Sequence, residues 1–165
     1  VIHVTHDLIE SFSLADKVAL MKAGEIVQIG KAKDLFSAPR NEFAARFLGY
    51  ENIFDAELVT SGKFSDFDVG GVKLRALGKI GVSTVRLAVH PGDIVVQKTP
   101  VKGAANAFRG TVTDCLDMGS VVMVTVDFGL SLRTIVTKSF FVGESIEIGG
   151  DVWVSFSESA VKILE

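Results

Sequence analysis

The chain has 165 residues, 48% of them hydrophobic, enough for one sizeable core or two small ones. Its net charge of −3 gives no electrostatic basis for binding nucleic acid, and its one cysteine, Cys115, excludes an internal disulfide framework and reads as a small buried apolar residue. No apolar run approaches the roughly 20 residues of a membrane span, and no basic segment precedes the apolar N-terminus as in a signal peptide.

Residues 1–49 read as α/β. Val1–Val4 is a short apolar strand, ending in Thr5–His6–Asp7. Asp7 caps a helix whose apolar positions are Ile9, Phe12, Leu14 and Ala15. Lys17–Met21 and Glu25–Ile29 form a hairpin around Lys22–Ala23–Gly24. A short helix over Lys33–Phe36 is stopped by Pro39, and Glu42–Leu48 is helical with Gly49 as its C-cap.

Residues 50–98 change to short β runs: Ile53–Val59, Phe64–Val69, Val72–Leu74, Thr84–Val89 and Ile94–Val96. Gly70–Gly71 between two of them is a hairpin signal. Gln97 to Asn106 reads as a linker. Residues 99–165 repeat the pattern in Phe108–Leu116, Ser120–Phe128, Ser131–Thr137, Val152–Phe156 and Ala160–Leu164, which suggests a small closed barrel of the OB type. The expected fold is mainly β, with OB-like small barrels behind an α/β segment, in three parts: 1–49, 50–98 and 99–165.

Thr5–His6–Asp7 is followed by Glu10, Ala15, Asp16 and Val18, then Met21–Lys22–Ala23–Gly24–Glu25–Ile26–Val27–Gln28–Ile29–Gly30, Pro39 and Phe43–Ala44–Ala45–Arg46–Phe47–Leu48–Gly49. In that order these residues closely resemble the end of the ATP-binding subunit of an ABC transporter. The resemblance implies that residues 1–49 are the remnant of a nucleotide-binding domain, so that the chain is the tail of a larger ATPase. It places the switch histidine, which contacts the γ-phosphate, at His6. An imidazole suits that task because it donates a directed hydrogen bond and changes charge near neutral pH. ATP and Mg²⁺ are then cofactors of the complete protein. No Gly-Lys-Ser/Thr phosphate loop, acidic strand before Val1 or family signature occurs here, so the chain alone is not expected to hydrolyse ATP.

Residues 86–96 look like the regulatory domains of ABC importer ATPases, with His90 where the family usually has Arg. Residues 103–165 resemble a TOBE or Mop-like (molybdate-binding) domain through Asn106, Arg109–Gly110, Gly119, Val124–Val126, Gly150–Asp151 and Val154–Val161. The pattern is most similar to the molybdate/tungstate importers. That resemblance implies an oxyanion site held by short polar side chains and N–H groups. Its Ser-Ala-Arg-Asn stretch reads Gly103–Ala104–Ala105–Asn106 here, and its Lys position holds Ser157. Asn106, Gly119, Ser120, Ser157 and Ser159 remain as a neutral donor set for molybdate or tungstate.

The implied partners are a second copy of the chain and transmembrane permease subunits, at the cytoplasmic face of the membrane. Two alternatives stay open. One is an importer ATPase for sulfate, iron, polyamine or sugar with a purely structural TOBE domain. The other is a stand-alone oxyanion-binding β-barrel. Lys98, Lys102 and Arg109 with Phe108 are too few cations in an acidic chain to argue for nucleic acid, and the spacing of His90 gives no metal site.

Overall fold

A computed structural model of the chain describes residues 1–101 and 103–165. The protein is mainly β: two curled five-stranded sheets face one core, and a helical segment with a hairpin packs against one of them.

The N-terminal segment forms α1 (Leu8–Leu14), β1 (Val18–Lys22), β2 (Glu25–Gly30), α2 (Ala32–Ser37) and α3 (Glu42–Phe47). Asp7 caps α1 as expected, its Oδ1 accepting from the Glu10 N–H at 2.9 Å. The β1–β2 turn holds Ala23 at φ 51° and Gly24 at φ 85°, the left-handed pair of a tight hairpin turn. Helix α3 ends as a Schellman motif: Gly49, at φ 86°, donates to Arg46 O at 3.1 Å, and Tyr50 donates to Ala45 O at 2.9 Å.

The strand expected over Val1–Val4 does not form. Val1, Ile2 and Val4 are exposed, and no strand among the described residues pairs with them. A strand is held by a neighbour's backbone groups, and neither sheet runs alongside this stretch. The rest of the segment packs instead on the outside of the β region. Leu35, Leu48 and Tyr50 meet Ala88 and Leu164 there, and the Glu165 N–H donates to Arg40 O at 2.7 Å.

The β region comprises β3 (Asn52–Thr60), β4 (Phe64–Val69), β5 (Val72–Leu77), β6 (Thr84–Val89) and β7 (Val95–Gln97), then β8 (Asn106–Asp117), β9 (Val121–Asp127), β10 (Ser131–Thr137), β11 (Asp151–Phe156) and β12 (Val161–Leu164). A 3₁₀ turn, Pro91–Asp93, joins β6 to β7. A helix that the sequence reading missed, α4 (Lys138–Gly143), lies between β10 and β11. Thr137 caps it, accepting from the Phe140 N–H at 3.3 Å.

The sheets do not follow chain order. One runs β12-β6-β3-β4-β5 and the other β10-β9-β8-β11-β7, so the halves exchange their last strands. Registers repeat between the halves. Asn52 stands opposite Val89 as Asn106 does opposite Phe156, and Ala56 opposite Val85 as Gly110 does opposite Val152. The bulge that follows Leu58 recurs after Val112. Phe67, Leu74 and Leu87 from one sheet and Val124, Val126 and Leu132 from the other belong to one continuous core. Such burial contributes roughly 1.5–3 kcal/mol per large apolar side chain.

Candidate functional site

His6 lies in the exposed bend ahead of α1, with no hydrogen bond from its side chain among the described residues. Its neighbours shape the backbone instead: the Asp7 N–H donates to Thr5 Oγ1 at 3.1 Å. Nearby, His3 Nε2 sits 3.2 Å from Glu10 Oε1, and bonds from Thr5 and His3 hold the Glu10 carboxyl below its ordinary range.

The five proposed oxyanion residues fall at two places. Asn106 begins β8 beside Phe156, the last residue of β11, so Ser157 and Ser159 lie at that end. Gly119 and Ser120 form the β8–β9 tip at the other end. Eleven residue steps at about 3.3 Å each separate the two groups by up to roughly 36 Å along the strand. One copy of the chain therefore does not gather all five around one small ion.

At the first place, Ser157 Oγ and Ser159 Oγ are 2.9 Å apart and exposed, in the turn that leads to β12. Lys162 Nζ reaches back to Ser159 O at 2.6 Å. The turn therefore has a cation that the sequence reading missed, because that reading looked for Lys at position 157. A lysine on the strand after a serine pair was the available signal. Asn106 is fully buried and occupied: its Oδ1 accepts from the Arg75 N–H at 2.8 Å and its Nδ2 donates to Arg75 O at 2.9 Å.

At the second place, the Gly119 N–H donates to Asp117 Oδ1 at 2.9 Å. Ser120 O accepts from the Lys138 N–H at 3.0 Å, and Lys138 Nζ pairs with Asp117 Oδ2 at 2.7 Å. The Lys138 bond, with the Gly119 N–H, holds the Asp117 carboxyl below its ordinary range. That carboxylate works against an anion at this tip, and Lys138 offsets it.

Of the cations Lys98, Lys102 and Arg109, the two described ones have partners within the chain. Lys98 Nζ donates to Ser145 O at 3.2 Å, and Arg109 pairs with Asp151 at 2.7 Å. Phe108 stacks on Phe128 at 4.6 Å between ring centroids. Lys102 lies outside the described residues. Among the described residues no cluster of His, Cys, Asp or Glu is arranged to hold a metal ion, and no helix is long and apolar enough to cross a membrane.

His90 caps the Pro91–Asp93 turn, its Nδ1 accepting from the Gly92 N–H at 3.1 Å, which puts the ring proton on Nε2. Its ring meets Phe36 and Tyr50 edge-on at 5.1 and 5.2 Å. Burial pushes the His90 pKa below its ordinary value, against the opposing pull of Asp93 and Glu51.

Comparison with known proteins agrees with this architecture. The TOBE domain family matches residues 84–164. The molybdate/tungstate import ATP-binding protein WtpC of Pyrococcus abyssi is 39% identical over 165 residues, covering 98% of this chain and 46% of the relative. The Pyrococcus horikoshii protein of the same name is 36% identical over 164 residues, with the same coverages. The chain thus spans about half the length of the curated relatives it matches. A structure of the cytoplasmic molybdate-binding protein ModG with molybdate bound shares the fold, with a TM-score of 0.58 at 19% identity over 68% of this chain and 94% of that one. Residues 84–164 thus match the TOBE domain family, and over nearly its whole length the chain is similar to the ATP-binding proteins of molybdate/tungstate import.

Proposed function

We propose that the chain is the regulatory portion of a molybdate/tungstate importer's ATP-binding subunit, and that its second β half binds the oxyanion between two copies. The observation that carries this reading is the exposed Ser157–Ser159 pair with Lys162 beside it, in a TOBE domain related to molybdate/tungstate import proteins. Two hydroxyls and an ammonium are the donors a tetrahedral dianion needs, and charge-assisted bonds are the stronger ones. The separation of Gly119 and Ser120 from this turn favours a two-copy site, because a second copy can bring its β8–β9 tip to the first copy's serines.

In this reading the complete protein works at the cytoplasmic face of the membrane against permease subunits and hydrolyses ATP with Mg²⁺. His6 is its γ-phosphate contact. The residues present do not by themselves fit a nucleotide: His6 stands exposed, and the sequence contains no phosphate loop. Internal oxyanion would favour the arrangement of the paired regulatory domains that it binds more tightly.

Calorimetric titration of the chain with molybdate, tungstate and sulfate tests the reading. Micromolar binding of the first two, weakened about tenfold or more in Ser157→Ala and Ser159→Ala variants, is expected for lost hydrogen bonds to a charged ligand. No heat with any of the three ions refutes oxyanion binding and leaves an assembly domain.

A further inference from the structure

The two halves repeat each other closely enough to compare their equivalent turns. Pro91–Asp93 follows β6 as the 157–160 turn follows β11, and the Asp93 N–H to His90 O bond at 3.0 Å matches the Ala160 N–H to Ser157 O bond at 3.1 Å. Their surroundings differ. The turn at 157–160 carries exposed serines. The turn that begins at His90 is covered by Phe36 and Tyr50 from the helical segment.

The same turn is fastened from the opposite side by the second half. Thr134 on β10 is fully buried, and its hydroxyl donates toward Ile94 O at 3.0 Å and Pro91 O at 3.3 Å. The position equivalent to Thr134 on β5 is Ala76, next to Arg75 as Thr134 is next to Arg133, so the other turn has no such bond. Asn52 adds a second fastening, its Nδ2 donating both to Val89 O at 3.1 Å and to Arg133 O at 2.8 Å. Backbone atoms on both flanks of His90 are thus tied to β10, while its ring holds the helical segment. Tyr50 closes the chain of contacts by donating its OH to Phe36 O at 2.8 Å.

We propose that the His90–Ile94 turn is the joint through which β10 of the second half and the helical segment 32–50 constrain each other, with Thr134 as its positioning residue. The proposal rests on the oxyanion reading in naming the route by which a ligand on the second half would reach the ATPase-side segment. Coupling of this kind needs packed elements with two arrangements, and the joint supplies the packed contact.

NMR-detected hydrogen exchange on the full chain tests it, with Thr134→Val and Thr134→Ser variants. The Val variant keeps the shape and loses the hydroxyl. In it, the Leu48 and Tyr50 amides are expected to exchange roughly tenfold faster, while Phe67 and Leu74 in the β4–β5 hairpin do not change. The Ser variant is expected to restore wild-type protection. Faster exchange confined to β7 and β10 overturns the proposal, as does uniform acceleration that includes β4 and β5, or failure of Ser to rescue. Adding molybdate separates the two claims. Protection at both 157–160 and 44–50 in the wild type, reduced to 157–160 alone in Thr134→Val, supports the route. Protection of 157–160 alone in the wild type refutes it. No protection anywhere refutes oxyanion binding, while the ligand-free comparison still decides the joint.

Discussion

The side-chain amide of Asn52 pairs with the backbone of Arg133, accepting from its N–H at 2.7 Å and donating to its carbonyl at 2.8 Å. Asn106 does the same with Arg75. Each asparagine stands in for a strand's peptide group and joins the first strand of one half to the third strand of the other. Removing the amide leaves part-buried backbone groups of Arg133 or Arg75 without these partners. Asn52→Leu and Asn106→Leu are each expected to cost about 1–3 kcal/mol. Because the halves exchange strands around one core, urea unfolding is expected to remain a single transition. Two separated transitions in either variant would contradict the shared core.

Gly110 lies where a Cβ would come within 2.6 Å of Asp127 O and 2.7 Å of Val126 Cγ1. The equivalent position in the first half is Ala56, buried without such a conflict. Gly110→Ala is therefore expected to destabilise the chain by about 1–3 kcal/mol through overpacking against backbone, which cannot rotate away. An unchanged Tm in Gly110→Ala would show that β8 and β9 can separate.

Ala23 occupies the left-handed region at φ 51° ahead of Gly24. An L-residue with a Cβ is strained there, and Asn-Gly is the pair this turn favours. Ala23→Asn is expected to stabilise the chain by about 0.5–1 kcal/mol, read as a raised Tm. A lowered Tm would indicate that the hairpin adopts another turn in solution.

His90 gives stability a pH dependence of defined sign. Burial places its pKa in the folded chain below the ordinary 6.5. As pH falls through that ordinary value the unfolded chain binds the proton first, so stability drops with acidification until the folded imidazole also protonates. Protonation would also put a proton on Nδ1, which accepts from the Gly92 N–H. His90→Gln is expected to flatten the slope of unfolding free energy between about pH 7 and pH 5. An unchanged slope would assign it to other groups.

Signals that are local were legible in the sequence. Asp7 before α1, Gly49 after α3 and Gly70–Gly71 between β4 and β5 each specify a backbone conformation that one or two residues determine. Pairings between distant residues were not legible. Val1–Val4 has the composition of a strand and no neighbour to pair with. The exchange of β7 and β12 depends on contacts between Val95–Gln97 and β11, and between Val161–Leu164 and β6. Helix α4 falls between the runs Ser131–Thr137 and Val152–Phe156, in a stretch with no assigned element: Phe140, Phe141 and Val142 are not helix-favouring residues, although Thr137 offered a capping signal. At the candidate site the serine pair was legible, but not the burial of Asn106, whose partner Arg75 is remote in sequence.

Crystallisation of the chain with tungstate, followed by anomalous scattering at the tungsten edge, addresses the central claim most directly. The expected result is a tungsten peak within hydrogen-bond reach of Ser157 Oγ, Ser159 Oγ or Lys162 Nζ, at a contact between two copies. A tungsten-free serine turn in crystals grown with saturating tungstate, or a peak only at a site remote from it, would contradict the account.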